Sequence, residues 1–246
     1  MFQNAKAFNG DLNNWNVSGV TDMSRMFYEA EVFNGNISSW DVSSVTNMQE
    51  MFRLATNFNS DLSNWNVANV EDFTKMFNRA EAFNSDLNNW DISSATTIYA
   101  MFRNAKSFNS NLNNWDVSAL ESMKEVFYWA LAFNGDISNW DVSNVKRMDE
   151  LFLGAKAFNR DISNWDVSNV TNMNSMFQFA ESFNHNISVW DVSNVYDMTY
   201  MFYQAKSFDK DLSSWCVSNI SSYPSDFSTG TLLQSSDLPV WGTCPQ

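Results

Sequence analysis

Histidine occurs once in this 246-residue chain, at position 185, with no metal-ligand or nucleophile spacing around it. His185 therefore reads as the accident of a variable position. Cysteine is limited to Cys216 and Cys244, which offers no zinc constellation, and seven glycines build no phosphate-cradling loop. Lys and Arg total 14 against 28 Asp and Glu, a net charge of −14. Such a chain has little with which to displace phosphate counterions, which argues against a nucleic-acid partner. There is no run of apolar residues long enough to span a membrane. The first twenty residues lack a basic start followed by an apolar stretch, so they do not form a secretory signal. Met1-Phe2 instead stands in phase with Met26-Phe27, Met51-Phe52 and Met76-Phe77. Met1 thus reads as a repeat residue, and the chain as a mature or excised fragment of a longer array.

What is present is a period. Tryptophan falls at 15, 40, 65, 90, 115, 140, 165, 190 and 215, spaced by 25 residues without a slip. A fixed period of this size marks coils that bury their apolar faces only against their neighbours. Residues 1–220 are expected to form one repeat domain and residues 221–246 a capping tail. Two apolar spacings alternate within each unit. Trp40 and Val42 are two apart among polar Ser39, Asp41 and Ser43, the pattern of a half-buried strand. Met48, Met51, Phe52 and Ala55 step by three and four, the pattern of a helix, with Thr46 and Asn47 as N-cap candidates. Asn59 then begins a return loop. The expected fold is an α/β solenoid of nine strand-plus-helix coils. A parallel β ladder roughly 40–45 Å long runs along the inner side, at about 4.8 Å per strand, and the helices lie outside. Columns of Trp, Phe, Met and Val form its core.

Leu62-x-x-Trp65-x-Val67-x-x-Val70 resembles the strand segment of leucine-rich repeats, and Phe133-Asn134-Gly135-Asp136-Ile137-Ser138-Asn139-Trp140-Asp141-Val142-Ser143-Asn144-Val145 resembles the divergent repeat of BspA-like bacterial surface proteins and lipoproteins. The resemblance runs over about residues 1–220. It implies a cell-surface or secreted protein used in adhesion and recognition, and it carries no catalytic residues.

Charge is unevenly placed. The segments 11–20, 36–45 and their equivalents hold twelve Asp and no Lys, Arg, Glu or His, so they account for −12 of the −14. Two columns carry it, one through Asp86, Asp136 and Asp161, the other through Asp91, Asp141 and Asp166. Stacked carboxylates about 5 Å apart repel one another. Three arrangements would offset this: hydrogen-bonded turns diluted by Asn, Ca²⁺ bridging adjacent coils through Asp and Asn oxygens, or a basic or glycan partner.

A repeated array is the wrong place for one unique catalytic pair, and the acidic segments contain no basic residue to take a proton or steady an anion. No enzyme activity is expected, nor any cofactor beyond calcium. Sequons stand at Asn16, Asn36, Asn169, Asn186 and Asn219, where a secretory source could add glycans. Cys216 and Cys244 read as a disulfide that holds the tail over the last coil, with Pro224, Pro239 and Trp241 suiting an irregular cap. Tyr128, Trp129, Leu131, Leu153 and Phe179 fall on or near one outer helix face, as a partner contact or as side chains tucked between helices. The leading reading is a non-catalytic adhesion or recognition surface, outside the cell, for a protein or glycan. A fibre or sheath subunit built from copies of itself by end-to-end or lateral packing is the alternative, and ice or glycan binding through the regular polar face a third.

Overall fold

The structure is a computed structural model that describes residues 1–245. Take the coil that starts at Ile37. Four-residue turns follow one another along it, each closed by the N–H of its last residue on the carbonyl of its first. The pairs are Trp40 on Ile37 (3.1 Å), Val45 on Val42 (2.9 Å), Met51 on Met48 (3.1 Å), Arg53 on Glu50 (3.1 Å), Ala55 on Phe52 (3.0 Å) and Phe58 on Ala55 (3.0 Å). The next coil repeats the pattern 25 residues later, at Trp65 on Leu62 and Val70 on Val67.

The coils stack as the period requires, but the α/β class expected above is not adopted. Among the described residues the only helix is a single 3-10 turn, Ser235–Asp237, and the only sheet pairing is a row of isolated parallel bridges such as Asp22 to Asn47 and Asn47 to Asp72. The reason lies in where the N–H groups go. An α-helix directs every one of them along its own axis to residue i−4. In the segment expected to be helical, Met48, Glu50, Phe52 and Leu54 instead donate to the carbonyls of Asp72, Thr74, Met76 and Asn78 in the next coil, at 2.8–2.9 Å. Only the N–H groups between them close local turns. Glu50 (φ 54°) and Leu54 (φ 63°) are left-handed at the third position of their turns, the signature of type II turns. Each such residue costs about 1–2 kcal/mol, offset by axial hydrogen bonds of about 0.5–1.5 kcal/mol each and by burial. The expected strand fails for a different reason. Trp40 and Val42 are buried and Asp41 exposed, as the alternation requires, yet one turn closes at Trp40 and the next opens at Val42, leaving too little extended chain for a ladder.

The core is a set of aromatic columns. Phe27, Phe52, Phe77 and Phe102 stack ring on ring at 5.5–5.7 Å, and Phe33, Phe58, Phe83 and Phe108 do so at 5.9 Å. Within a coil the two columns meet, with Phe52 and Phe58 3.9 Å apart. Tryptophans form a third column and also tie coils together. The Trp40 indole Nε1 donates to the Leu12 carbonyl at 3.0 Å, and Trp140 to Leu112 at 2.8 Å. A large aromatic fits here because its N–H finds a partner in the dry interior. Along the return loop the side-chain oxygens of Asn9, Asn34, Asn59 and Asn84 each accept the backbone N–H of the equivalent residue one coil on, at 2.8–2.9 Å.

At the C-terminal end the tail continues the pattern. The carbonyls of Ser225, Phe227 and Thr229 accept from Tyr200, Phe202 and Gln204 at 2.8–2.9 Å, and that of Thr243 from Val217 at 2.9 Å. Phe227 is buried against Phe202, and Cys216 is bonded to Cys244.

Candidate recognition surface

The two acidic columns are built from Asx turns, in which a side-chain oxygen accepts the N–H two residues on. Asp86 accepts from Asn88 (2.9 Å) and Asp136 from Ser138 (3.0 Å). Asp91, Asp141, Asp161 and Asp166 accept from Ser93, Ser143, Ser163 and Ser168, each at 3.0 Å. The serine hydroxyls and N–H groups hold the carboxyls of Asp91, Asp141 and Asp166 below the usual range, and the Ser163 N–H does the same for Asp161. Among the described residues no three Asp, Glu, His or Cys side chains are gathered in a way that would hold a metal ion. Beside the columns run shallow polar grooves. One of about 250 Å³ is lined by Asn84, Asp86, Asn88, Asn109, Ser110 and Asn111.

All five sequon asparagines are exposed. The side-chain oxygens of Asn16, Asn36 and Asn186 accept from Ser18, Ser38 and Ser188. Asn169 and Asn219 instead donate Nδ2 to the Ser143 and Ser193 carbonyls of the preceding coil, at 2.8 and 2.7 Å. His185 contacts the Asn159 carbonyl through its ring Nε2 at 3.1 Å.

The expected contact residues do not form a helix face, because there is no helix. They occupy the turn side of coils six to eight, mostly half-buried. Trp129 lies over Gly154, where an added Cβ would meet the indole at 2.5 Å. Phe179 stands 6.0 Å from Trp129 and meets Tyr203 edge-on at 5.4 Å, and Tyr203 meets Tyr200 at 5.7 Å. Tyr128 lies under the Arg103 guanidinium at 4.0 Å. Leu153 is buried, and Leu131 is half-buried between the coils that carry Lys106 and Lys156. The structure therefore brings Trp129 and Phe179 together and adds Tyr200 and Tyr203 to them. Val189 (72%) and Tyr196 (63%) are also exposed, each a single large apolar or aromatic residue at a column position held elsewhere by polar residues.

A charge cluster adjoins this ridge. Lys124 Nζ is 2.9 Å from Asp149 and 3.7 Å from both Glu125 and Glu150. Arg103 pairs with Glu125, and the Tyr99 hydroxyl donates to Glu125 at 3.1 Å. Burial works against the Asp149 charge, but Arg147 and Lys124 overcome it and hold that carboxyl low. Glu150 goes the other way. Despite Lys124, burial and the Glu125 carboxylate push it above the usual range. Lys124, an ion-pair partner by distance, and Arg103 act against this shift but do not offset burial and the neighbouring Glu125 and Asp149 carboxylates.

A family profile described as Mycoplasma protein of unknown function, DUF285, matches residues 1–115, 34–139, 82–157 and 121–241. The chain belongs to this family. The overlap of the matches is what a tandem repeat produces, since one profile can be laid on it in several registers. No curated protein matches the chain. Among solved structures, a chain of an octameric complex of Latrophilin 3 (Lec, Olf), Unc5D (Ig, Ig2, TSP1) and FLRT2 (LRR) shares 10% identity over 89% of this chain and 72% of that one, with a TM-score of 0.29. A chain of a TLR13–ssRNA13 complex shares 11% identity over 88% of this chain and 50% of that one, with a TM-score of 0.28. At these TM-scores neither likeness bears on the fold of the DUF285 chain. No helix among its described residues is long and apolar enough to cross a membrane.

Proposed function

We propose that this DUF285 chain is a non-catalytic recognition protein displayed outside the cell, close in kind to the BspA-like surface proteins whose repeat its coils resemble, and that it binds a protein or glycan through the turn side of its last coils. One observation carries the reading: the aromatic ridge of Trp129, Phe179, Tyr203 and Tyr200. In the acidic columns the exposed Asp and Asn side chains recur from coil to coil, and many accept hydrogen bonds within their turns. On the ridge, side chains that differ between coils form one continuous apolar patch, with Gly154 making room, and apolar patches rimmed by polar residues mark interaction sites. The disulfide suits an oxidising compartment. A fibre made by end-to-end stacking has less support, because the tail occupies the last coil.

The test is binding of the purified chain to panels of immobilised glycans and extracellular-matrix proteins. Tyr200→Ser is made, since Tyr200 is the most exposed member of the ridge and can be replaced without disturbing the core. The expected result is a ligand retained by the native chain and bound more weakly by the variant at unchanged melting temperature. A ligand bound equally by both would remove the ridge from the proposal.

A further inference from the structure

Resting on the recognition surface proposed above, we infer that the partner is a protein segment that seats an arginine on Glu150, beside the aromatic ridge. Glutamate stands three times at one column of the turn side, at Glu50, Glu125 and Glu150. Two of the three are met by arginine from within the chain. Arg25, the equivalent residue of the preceding coil, and Arg53, at the end of the same turn, both reach Glu50. Arg103, at the turn end of the preceding coil, reaches Glu125. Arg53 and Arg103 also lie over tyrosine rings, Tyr28 at 5.3 Å and Tyr128 at 4.0 Å. At the three matching places Glu150 meets Glu125, Leu153 and Tyr128. Among the described residues the only cation within ion-pair distance of it is Lys124, at 3.7 Å, and that ammonium stands closer to Asp149, at 2.9 Å. Arg147 is likewise committed to Asp149.

The Glu150 side chain is 28% exposed, against 6% for Glu50 and 7% for Glu125. The carboxylate without an arginine is therefore the one that an outside group can reach. Burial and the Glu125 carboxylate work against its charge, and an incoming cation offsets both. The ground beside it has room for such a residue. Glu150, Ser175 and Tyr200 are equivalent residues of successive coils. Ser175 is buried with its hydroxyl bonded to Asn174 at 3.0 Å, so no long side chain fills the step between Glu150 and Tyr200. On the other side, Glu150 opens the turn that closes at Leu153, just before Gly154 and the Trp129 indole that covers it. A guanidinium suits this place because it is planar, forks onto both carboxylate oxygens and stacks on an aromatic face. A neutral glycan brings no charge to Glu150.

The probe is a random peptide display library panned against the native chain. The selected peptides should share an arginine beside an aromatic or aliphatic residue. Replacing that arginine by citrulline, which keeps its shape and removes its charge, should weaken binding about tenfold or more, the scale of one charge-assisted pair. Glu150→Gln should weaken the arginine peptide by a similar factor and cost the citrulline peptide nothing further. The variant should melt no lower than the native chain at pH 7, which separates lost binding from lost fold. Glu71→Gln removes the same charge at an exposed position about three coils away and should leave binding unchanged. Peptides weakened by Tyr200→Ser but indifferent to Glu150→Gln would overturn the arginine and keep the ridge. Peptides indifferent to both would overturn the ridge as well. A chain that selects no peptide, or only peptides without arginine, would also overturn the inference, and a glycan retained through Tyr200 would then be the ligand of the ridge.

Discussion

Replacing Trp140 by Phe separates the two jobs of the tryptophan column. The indole is 3% exposed, donates to the Leu112 carbonyl at 2.8 Å, and lies 6.3 Å from the Trp115 ring and 6.2 Å from the Trp165 ring. Phenylalanine keeps a ring in the stack but removes the N–H and the second ring. The Leu112 carbonyl retains the turn hydrogen bond from the Trp115 N–H at 3.1 Å, so it is not orphaned. The hydrogen-bond loss therefore falls in the ordinary range of about 0.5–1.5 kcal/mol. A void of roughly 40 Å³ at about 24 cal/mol per Å³ adds ~1 kcal/mol, with a similar amount for the lost apolar transfer. The expected destabilisation is about 2.5–3.5 kcal/mol. Trp15→Phe is the internal control. Trp15 sits in the same column, is 40% exposed, and its Nε1 has no acceptor among the described residues, so it should cost about 0.5 kcal/mol or less. Urea unfolding followed by fluorescence and by circular dichroism measures both, and agreement of the two probes checks that one transition is being read. Equal destabilisation by Trp15→Phe and Trp140→Phe would refute the reasoning, as would a Trp140→Phe cost below about 0.5 kcal/mol.

The remaining expectations concern charge and backbone. Glu150 has a folded pKa raised above its unfolded value, so its ionised form costs stability at neutral pH, and the cost fades as pH falls through the raised pKa. Glu150→Gln should therefore raise the melting temperature at pH 7 and lose that advantage at acid pH; a constant difference across the titration would contradict it. Asp141 has a lowered folded pKa, so its contribution is present at neutral pH and is lost as pH falls below the usual carboxylate range. Asp141→Asn keeps an acceptor for Ser143 but not the charge, so it should cost less than Asp141→Ala, which should cost about 1 kcal/mol by chemical denaturation; if turns alone occupy these columns, chelator should leave the melting curve of the native chain unchanged. Gly154→Ala meets the Trp129 indole at 2.5 Å and sits at φ +70°, so it should cost about 1–3 kcal/mol, a loss that Trp129→Ser should only partly relieve.

The core was legible in the sequence and the secondary structure was not. Trp65, Phe52, Phe58 and Val67 keep their columns because each must touch its own copy one coil away, and that constraint is written as spacing. The apolar steps of three and four between Met48 and Ala55 suit a helix, but a chain of four-residue turns also returns a side chain to the core every three or four residues. What distinguishes the two is the left-handed backbone, and its usual marker is missing. Of the residues at positive φ in that column, only Gly154 is glycine; Asn4, Glu29, Leu54, Arg79, Asn104, Trp129, Phe179 and Gln204 hold the rest. Propensity could not expose these positions, because axial hydrogen bonds and burial override it. The Asn9 column reads as a loop former in sequence, since nothing local reveals that its side chain serves the coil above. The ridge was legible in part. Trp129 and Phe179 stood out as departures from their column, whereas Tyr200 and Tyr203 join them only through a geometry set by Gly154 and the turns.

The alternation of outward and inward N–H groups makes the chain length quantal. One residue inserted between Met48 and Ala55 would exchange the roles of all the groups that follow, turning axial donors into turn donors and moving the left-handed φ onto side chains meant for the core. Only a whole coil can be gained or lost without that penalty. Exchange between any two coils at the same column leaves each interface as it was, because each coil meets only its neighbours. The distance between the two ends can therefore change in steps of 25 residues while the fold stays the same.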